Sequence, residues 1–341
     1  MQMKPEKVYA CYNKDKNVRL SSSSGAVFSS LAECVLNKQG VVYGVAMSWD
    51  CYSAEFISVT DREGLTRLRG SKYLQAKVGS TFKKVKADLQ FGKMVLFTGT
   101  GCQINGLKNF LGRDYDNLIC VDVICHGTPS PKLWKKYAQY QENNTGGKLK
   151  WINFRCKDEN RTDLDIKGIW KDIPMNSVKK MYVSKDRDPY MQMFLRDYCL
   201  RPSCYECPYA TTERKTDMTI GDFWHIEETV PDFYDPDGNS LFLIHTNRGE
   251  ELFEKIQGDL DYRLSNTTQC WQANLEAPTK KSEQREEFWN DYQRKGIDFV
   301  MKKYGTVPMK TKIKNKLLRI IGGGYTESST RYAYYSERRA A

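Results

Sequence analysis

The sequence predicts an α/β protein with a mostly parallel central sheet, flanking helices, a β-rich insertion and a helical, basic C-terminal extension. Three observations carry this expectation. First, residues 93–132 read KMVLFTGTGCQINGLKNFLGRDYDNLICVDVICHGTPSPK, which is strand, glycine-rich turn, helix and strand in succession. Residues 94–97 and 118–124 are short apolar runs of buried-strand type, and Ile104, Leu107, Phe110 and Leu111 recur at helical spacing between them. Gly112 stands where a helix-closing glycine belongs. Such a unit makes the two strands parallel neighbours. Second, residues 150–183 are β-rich, with Trp151, Ile152, Phe154, Ile166, Ile169 and Trp170 as apolar positions. Third, the chain turns polar and basic after Cys270. The expected division is residues 1–270 as one α/β domain, 271–321 as the helical extension and 322–341 as a disordered tail.

Taken in order, residues 8–19 are mixed and polar, and Ser21, Ser22, Ser23, Ser24 and Gly25 precede helical spacing over 27–36. The serine run reads as an N-cap, and its hydroxyls and free N–H groups also suit a phosphate. Residues 40–46 form a strand with 55–60 as partner. Arg69, Gly70, Ser71, Lys72 and Tyr73 combine cations, a glycine–serine turn and an aromatic, which suits a phosphate and a flat ring; the plain alternative is a basic helix end. Residues 78–89 are helical. A helix over 132–141 begins at Pro131 and gives way to a polar break at 143–148. Residues 188–195 make a short helix, 216–224 a strand ending in an acidic and aromatic turn, 240–246 a buried strand, and 250–257 a helix. Residues 271–304 are expected to be helical.

At 341 residues the chain can bury a large core, and 40% hydrophobic with 28% charged residues is ordinary for a globular protein. The start MQMKPEKVYA lacks the apolar region of an export signal, and no apolar run reaches membrane-spanning length, so a cytoplasmic protein is expected. Eleven cysteines is an odd and high count, which favours reduced thiols, some bound to metal, over a disulfide framework. The formal charge of +11 admits nucleic acid, acidic partners or anionic lipid and separates none of them; no nucleic-acid partner is expected.

The strongest local signal is Cys204-x-x-Cys207, a turn that points two thiolates the same way. Cys207-Pro208 resembles the pair that closes many iron–sulfur motifs, while zinc, with four tetrahedral ligands, is the rival. With no second such motif, a four-thiol site must draw on distant cysteines. Cys102 and Cys125 are best placed, both just past strand ends, where open α/β sheets bind ligands. Cys199 is a reserve, and Cys34, Cys51, Cys120 and Cys270 read as buried and inert. His126 is a candidate proton donor, against the plainer reading of a structural turn histidine. GxSxG, P-loop, HExxH and GxGxxG patterns are all absent.

Six segments in order then carry a resemblance: SSSSGA at 21–26, LRGSKYLQA at 68–76, LFTGTGCQINGLKNFL at 96–111, VDVICHGTPSPKLWKKY at 121–137, LRPSCYECPY at 200–209 and TDMTIGDFWH at 216–225. Over residues 7–260 the chain resembles the β subunit of coenzyme F420 hydrogenases and dehydrogenases, a flavin and iron–sulfur family. The resemblance implies an FAD-binding α/β domain with a [4Fe–4S] cluster, exchanging electrons with a two-electron carrier such as the deazaflavin F420. It implies Cys102, Cys125, Cys204 and Cys207 as cluster ligands. It implies Ser22, Ser23, Ser24, Gly25, Gly70, Ser71, Lys72, Tyr73, Gly99 and Thr100 as flavin contacts. Three positions depart from the family pattern: Gly101 replaces the proline of GTPC, Ala26 a second glycine, and His225 the glycine of DFWG.

The N-terminal ferredoxin segment of many relatives is not matched, so a separate ferredoxin-like or other redox donor is expected. Many bacterial relatives look tied to surface-polysaccharide pathways. The reading is therefore a cytoplasmic FAD and iron–sulfur oxidoreductase acting on a small molecule or deazaflavin. The alternatives are a zinc-stapled, non-enzymatic binding module in a glycan-assembly complex and a relative that keeps the fold without the chemistry. A basic stripe (Lys302, Lys303, Lys310, Lys312, Lys314, Lys316, Arg319) with Ile313, Leu317, Leu318, Ile320 and Ile321 suits an anionic membrane surface, which would put the cytoplasmic protein at the inner face of the membrane, or equally an acidic donor. The plain alternative is a helix packed on the main domain.

Overall fold

The computed structural model describes residues 3–157, 165–172 and 178–306. The chain opens with β1 (Lys7–Asn13), α1 (Lys16–Leu20), α2 (Val27–Leu36), β2 (Val41–Met47) and β3 (Ala54–Val59). It continues through α3 (Arg62–Leu68), β4 (Ala76–Lys77), α4 (Thr81–Gln90), β5 (Val95–Thr100), α5 (Gly101–Leu111), β6 (Leu118–Val123) and α6 (Pro131–Thr145). A separate antiparallel meander of β7 (Gly147–Cys156), β8 (Asp165–Asp172) and β9 (Val178–Val183) is the expected β-rich insertion. Then come α7 (Pro189–Leu195), β10 (Met218–Asp222), α8 (Ile226–Thr229), β11 (Ser240–Ile244), α9 (Asn247–Ile256), β12 (Leu260–Ser265) and α10 (Arg285–Tyr304).

The main sheet has the order β12-β1-β11-β10-β6-β5-β2-β3-β4. Its central strands β10, β6, β5 and β2 are mutually parallel, and the flanking pairs β2–β3, β10–β11, β11–β1 and β1–β12 are antiparallel. The centre is covered on both faces. Val95, Phe97, Leu118 and Cys120 pack with Val85, Ile104, Leu107 and Trp134 on one side. Leu96, Ile119 and Val121 pack with Leu31, Val35, Leu65 and Phe253 on the other. Burial on both faces is why these strands read as continuous apolar runs without alternation.

Four local expectations are corrected. The segment read as mixed and polar begins with β1, buried over Val8–Cys11, because Tyr9, Ala10 and Cys11 pack between β11 and β12. The serine run does not cap α2: its N-cap is Ala26, in left-handed backbone at φ 69°, with no side-chain cap. The helix from Pro131 runs on through the supposed break to Thr145 and is closed by Gly146 at φ 72°, where the left-handed conformation suits glycine. Residues 271–284 are not helical apart from one turn at Ala273–Leu275; Pro278 lies in this segment, and α10 starts only at Arg285.

That last helix is kinked at Gly296, φ 79°. It buries Phe288, Val300, Met301 and Tyr304 in the same cluster as α6 and α7. The basic segment 307–321 and the tail 322–341 lie outside the described residues. Phe288 is fully buried, so Phe288→Ala is expected to destabilise the protein by about 3–5 kcal/mol. Urea unfolding followed by tryptophan fluorescence measures this; a loss below about 1 kcal/mol would show that α10 is not part of the common core.

Candidate functional site

The site is built at the carboxyl ends of the parallel strands. β5 and β6 pair in register as far as Thr100 opposite Val123. Two residues beyond each of these positions stands a cysteine, Cys102 and Cys125. Cys102 is exposed in the first turn of α5. That turn is held by a capping box in which Gln103 Oε1 accepts from the Thr100 backbone N–H at 2.8 Å. The Thr100 hydroxyl lies 3.1 Å from Cys102 Sγ.

Cys204 and Cys207 come from a 3-10 turn, Pro202–Glu206, and the residue after it. This turn is zipped to the loop after β6. Arg201 N–H donates to Thr128 O at 2.9 Å, and Pro129 bridges Leu200. Gly127, at φ 135°, packs so closely that a Cβ would lie 2.7 Å from Leu200 Cδ1 and 3.3 Å from Cys204 Cβ. The Thr128 hydroxyl lies 3.9 Å from Cys204 Sγ. Burial pushes the Cys125 thiol up to about 12, and the charges of Cys204, Cys102 and Cys207 push in the same direction. Cys207 is likewise raised by burial first and then by Cys102 and Cys204. The four thiols therefore lie within electrostatic range of one another. Among the described residues, no three His, Cys, Asp or Glu side chains are gathered as the ligands of a single metal ion. All eleven cysteines are free thiols. Cys11, Cys51, Cys120, Cys199 and Cys270 are buried, and burial raises each of them.

Beneath this corner sits a buried polar network. Asp122 pairs with Arg214 at 3.2 Å and accepts from the Thr219 hydroxyl at 2.5 Å; Thr219 also meets His245 Nε2 at 2.9 Å. Burial lifts the Asp122 carboxyl to about 6 against the pull of Arg214 and Thr219, and burial with Arg214 lowers His245 to about 4. Gly101 lies above it: a Cβ there would stand 2.9 Å from Tyr209 Cβ and 3.1 Å from Asp122 Oδ2. Glycine and Tyr209 thus belong together in this chain, and the capping box aims Cys102.

His126 is largely buried, its Nε2 2.6 Å from Asp197 Oδ1 and its ring edge-on to Phe194. The segment after Cys270 straps these loops. Gln272 donates to Asp222 O at 3.1 Å, Thr279 to His126 O at 2.5 Å, and Arg285 to Leu200 O at 3.1 Å. Reading residues 271–304 as one helix hid this strap; Pro278 was the available signal.

The two segments chosen for a phosphate and flat ring do meet. Ser23 Oγ accepts from the Ser71 N–H at 3.0 Å, and Arg69 reaches Ser29, Ser21 and Glu33. Ser22 lies 3.4 Å from Ser29 through its hydroxyl, while Ser24 donates to Asn239 O at 2.8 Å. Gly25 N–H donates to Ser240 Oγ at 2.9 Å. Gly70 takes φ 80° between Arg69 and Ser71. Gly99 sits at the end of β5 with Gln103 Oε1 2.9 Å from where a Cβ would be. Tyr73 stacks on Phe194 at 5.1 Å. Lys72 is arranged as a helix cap: its ammonium donates to the carbonyls of Arg67, Leu68 and Arg69 at 3.1, 3.0 and 2.8 Å, and burial lowers it to about 7. All three of its donors are taken there.

Sequence reasoning missed Lys157, which donates to Ser24 O and to Arg19 O and is lowered to about 7 by burial. It also missed the Arg155–Asp222 pair at 2.5 Å. These long-range partners leave no local pattern.

Strand-end thiols stand on a mixed sheet covered on both faces, the sheet of an α/β protein. Residues 8–83 match the family model for the N-terminal part of the coenzyme F420 hydrogenase/dehydrogenase beta subunit, and residues 92–269 match the model for the C terminus of that same subunit. The chain belongs to this family, an oxidoreductase family of electron transfer. Its fold is similar to that of a chain in the F420-reducing [NiFe] hydrogenase complex from Methanosarcina barkeri, solved with xenon derivatization. The similarity has a TM-score of 0.52 at 16% identity and covers 88% of this chain and 91% of that one. No curated protein sequence matches.

Gly25 tests how tightly the serine loop is seated. A Cβ there would lie 2.5 Å from Cys11 O and 2.7 Å from Ser240 N, both backbone atoms that cannot swing away. Gly25→Ala is expected to cost about 1–3 kcal/mol in chemical denaturation; an unchanged midpoint would contradict this seating.

Proposed function

We propose that the chain is a flavin-dependent oxidoreductase that passes electrons between a [4Fe–4S] cluster and a two-electron partner. The observation that carries the reading is the set of four thiols at one corner, from three segments, with Cys125 and Cys207 raised by burial first and then by the charge of the other thiols. The Cys207-Pro208 pair, of the kind that closes many iron–sulfur motifs, favours a cluster over zinc. Cys102, Cys125, Cys204 and Cys207 would hold it.

In the joined serine and Arg69–Tyr73 loops, hydroxyls, backbone N–H groups and the Arg69 cation would exchange their present partners for a pyrophosphate. Ser22, Ser23, Ser24, Gly25, Arg69, Gly70, Ser71, Tyr73, Gly99 and Thr100 would line an FAD there. Lys72 would act through the helix end it caps. A flavin exchanges electrons singly or in pairs, which is what it would contribute here. His126, oriented by Asp197, would hold or deliver a proton beside that site.

The partners in this reading are a separate ferredoxin-like donor and a small molecule or deazaflavin, in a surface-polysaccharide pathway as the resemblance implies. Contact with an anionic membrane through the basic C-terminal stripe belongs to the same proposal. Of that stripe, Lys303 is already paired with Glu287 and Asp291. Among the described residues no helix is long and apolar enough to cross a membrane.

Anaerobic purification with visible spectroscopy and iron, sulfide and zinc analysis tests the reading. A flavin spectrum with a broad shoulder near ~400 nm from thiolate-bound iron is expected; colourless protein with stoichiometric zinc would overturn it. Serine at Cys102, Cys125, Cys204 or Cys207 is expected to strip iron, whereas Cys34→Ser and Cys270→Ser keep it. Full iron in Cys125→Ser would remove that residue from the ligand set.

For the flavin, Arg69→Ala is expected to weaken FAD binding by about 1.5–3 kcal/mol through loss of a charge-assisted hydrogen bond. Fluorescence titration reads this, and an unchanged Kd would move the pyrophosphate elsewhere.

A further inference from the structure

Two threonine hydroxyls stand against two of the four corner sulfurs. Thr100 Oγ1 lies 3.1 Å from Cys102 Sγ, and Thr128 Oγ1 lies 3.9 Å from Cys204 Sγ. Neither contact is an accident of a mobile surface side chain. Thr100 is the N-cap of α5 and partner of Gln103 in a capping box, where its oxygen accepts from the helix backbone. An oxygen that accepts there has its own proton left to give. Thr128 is pinned by its backbone, whose carbonyl takes the Arg201 N–H at 2.9 Å. The direction of each bond follows from chemistry. A ligating sulfur is a thiolate with no proton to offer, so the hydroxyl must be the donor.

We propose that Thr100 and Thr128 are positioning residues that donate hydrogen bonds to the Cys102 and Cys204 thiolates and thereby raise the reduction potential of the bound cluster. The inference rests on the cluster reading above and goes beyond it to how the site is tuned. One electron delivered to the site by a one-electron donor adds one negative charge, shared with the ligand sulfurs. A hydroxyl proton aimed at sulfur stabilises the reduced state more than the oxidised one, because a hydrogen bond strengthens with the charge of its acceptor. Hydrogen bonds to the sulfurs are among the features that set cluster potentials. The roles of the two threonines differ in strength. The shorter Thr100 bond carries the larger effect.

The test is a redox titration of the anaerobically purified protein, with dithionite as reductant and the reduced cluster read by electron paramagnetic resonance. Thr100→Val removes the hydroxyl at nearly constant shape. It is expected to lower the reduced-to-oxidised ratio at a given potential about tenfold, which for one electron is about 59 mV. Thr128→Val should shift it in the same direction by less. Thr100→Ser, which keeps the hydroxyl, should restore the wild-type potential. Iron content, measured on every variant, separates the cluster reading from its tuning. Wild-type protein without iron ends the cluster reading and this inference together. Full iron with equal potentials in wild type, Thr100→Val and Thr128→Val overturns this inference alone. If Thr100→Val fails to fill with iron, the Thr128→Val potential decides: a fall supports the proposal, and no change overturns it.

Discussion

The cysteine corner depends on one constraint, the parallel register of β5 against β6. That register sets Thr100 opposite Val123 as the last pair. Each strand then releases its chain, and each chain reaches a cysteine two residues later. The register is strongly specified because both faces are buried: a slip of one residue would exchange Phe97 and Cys120 with Leu96 and Ile119 between two different cores. Packing far from the site thus decides where two thiols stand. The other two come in on the turn that begins at Pro202. Its approach is limited by Gly127, which leaves no room for a Cβ between the loop after β6 and Leu200.

The central part of the fold was legible because it is local. The apolar runs of β5 and β6, the helical spacing of α5 and the glycine that closes it lie within forty consecutive residues. The same stretch with Cys204-x-x-Cys207 made the candidate ligands visible. What escaped the sequence was non-local. β1 contributes to the sheet only because β11 and β12 arrive from more than two hundred residues away. Lys157, Arg155 and Gln272 are recruited across the chain. The strap after Cys270 passed for helix because its polar residues turn inward to carbonyls of the site loops. The serine run was a different kind of error: its hydroxyls are committed to tertiary partners at Ser71, Asn239 and Ser29, which leaves Ala26 to open α2.

The three departures from the family pattern have physical counterparts. Ala26 and His225 stand where the pattern has glycine, and both adopt left-handed backbone, at φ 69° and 63°. A residue with a Cβ holds that conformation at a cost of roughly 1–2 kcal/mol, so the surrounding contacts impose it. At Ala26 the neighbours are the seated Gly25 and the buried start of α2. Gly101, where the pattern has proline, is the reverse case: the neighbour Tyr209 occupies the room that a ring would need.

In the proposed function the four corner thiols enclose a multi-iron group and not a single ion. Native mass spectrometry of the anaerobically purified chain weighs the bound group directly. The expected result is an added mass corresponding to four irons with four sulfides, lost on serine substitution at Cys102, Cys125, Cys204 or Cys207. An added mass of one zinc, lost in the same four variants, would contradict it.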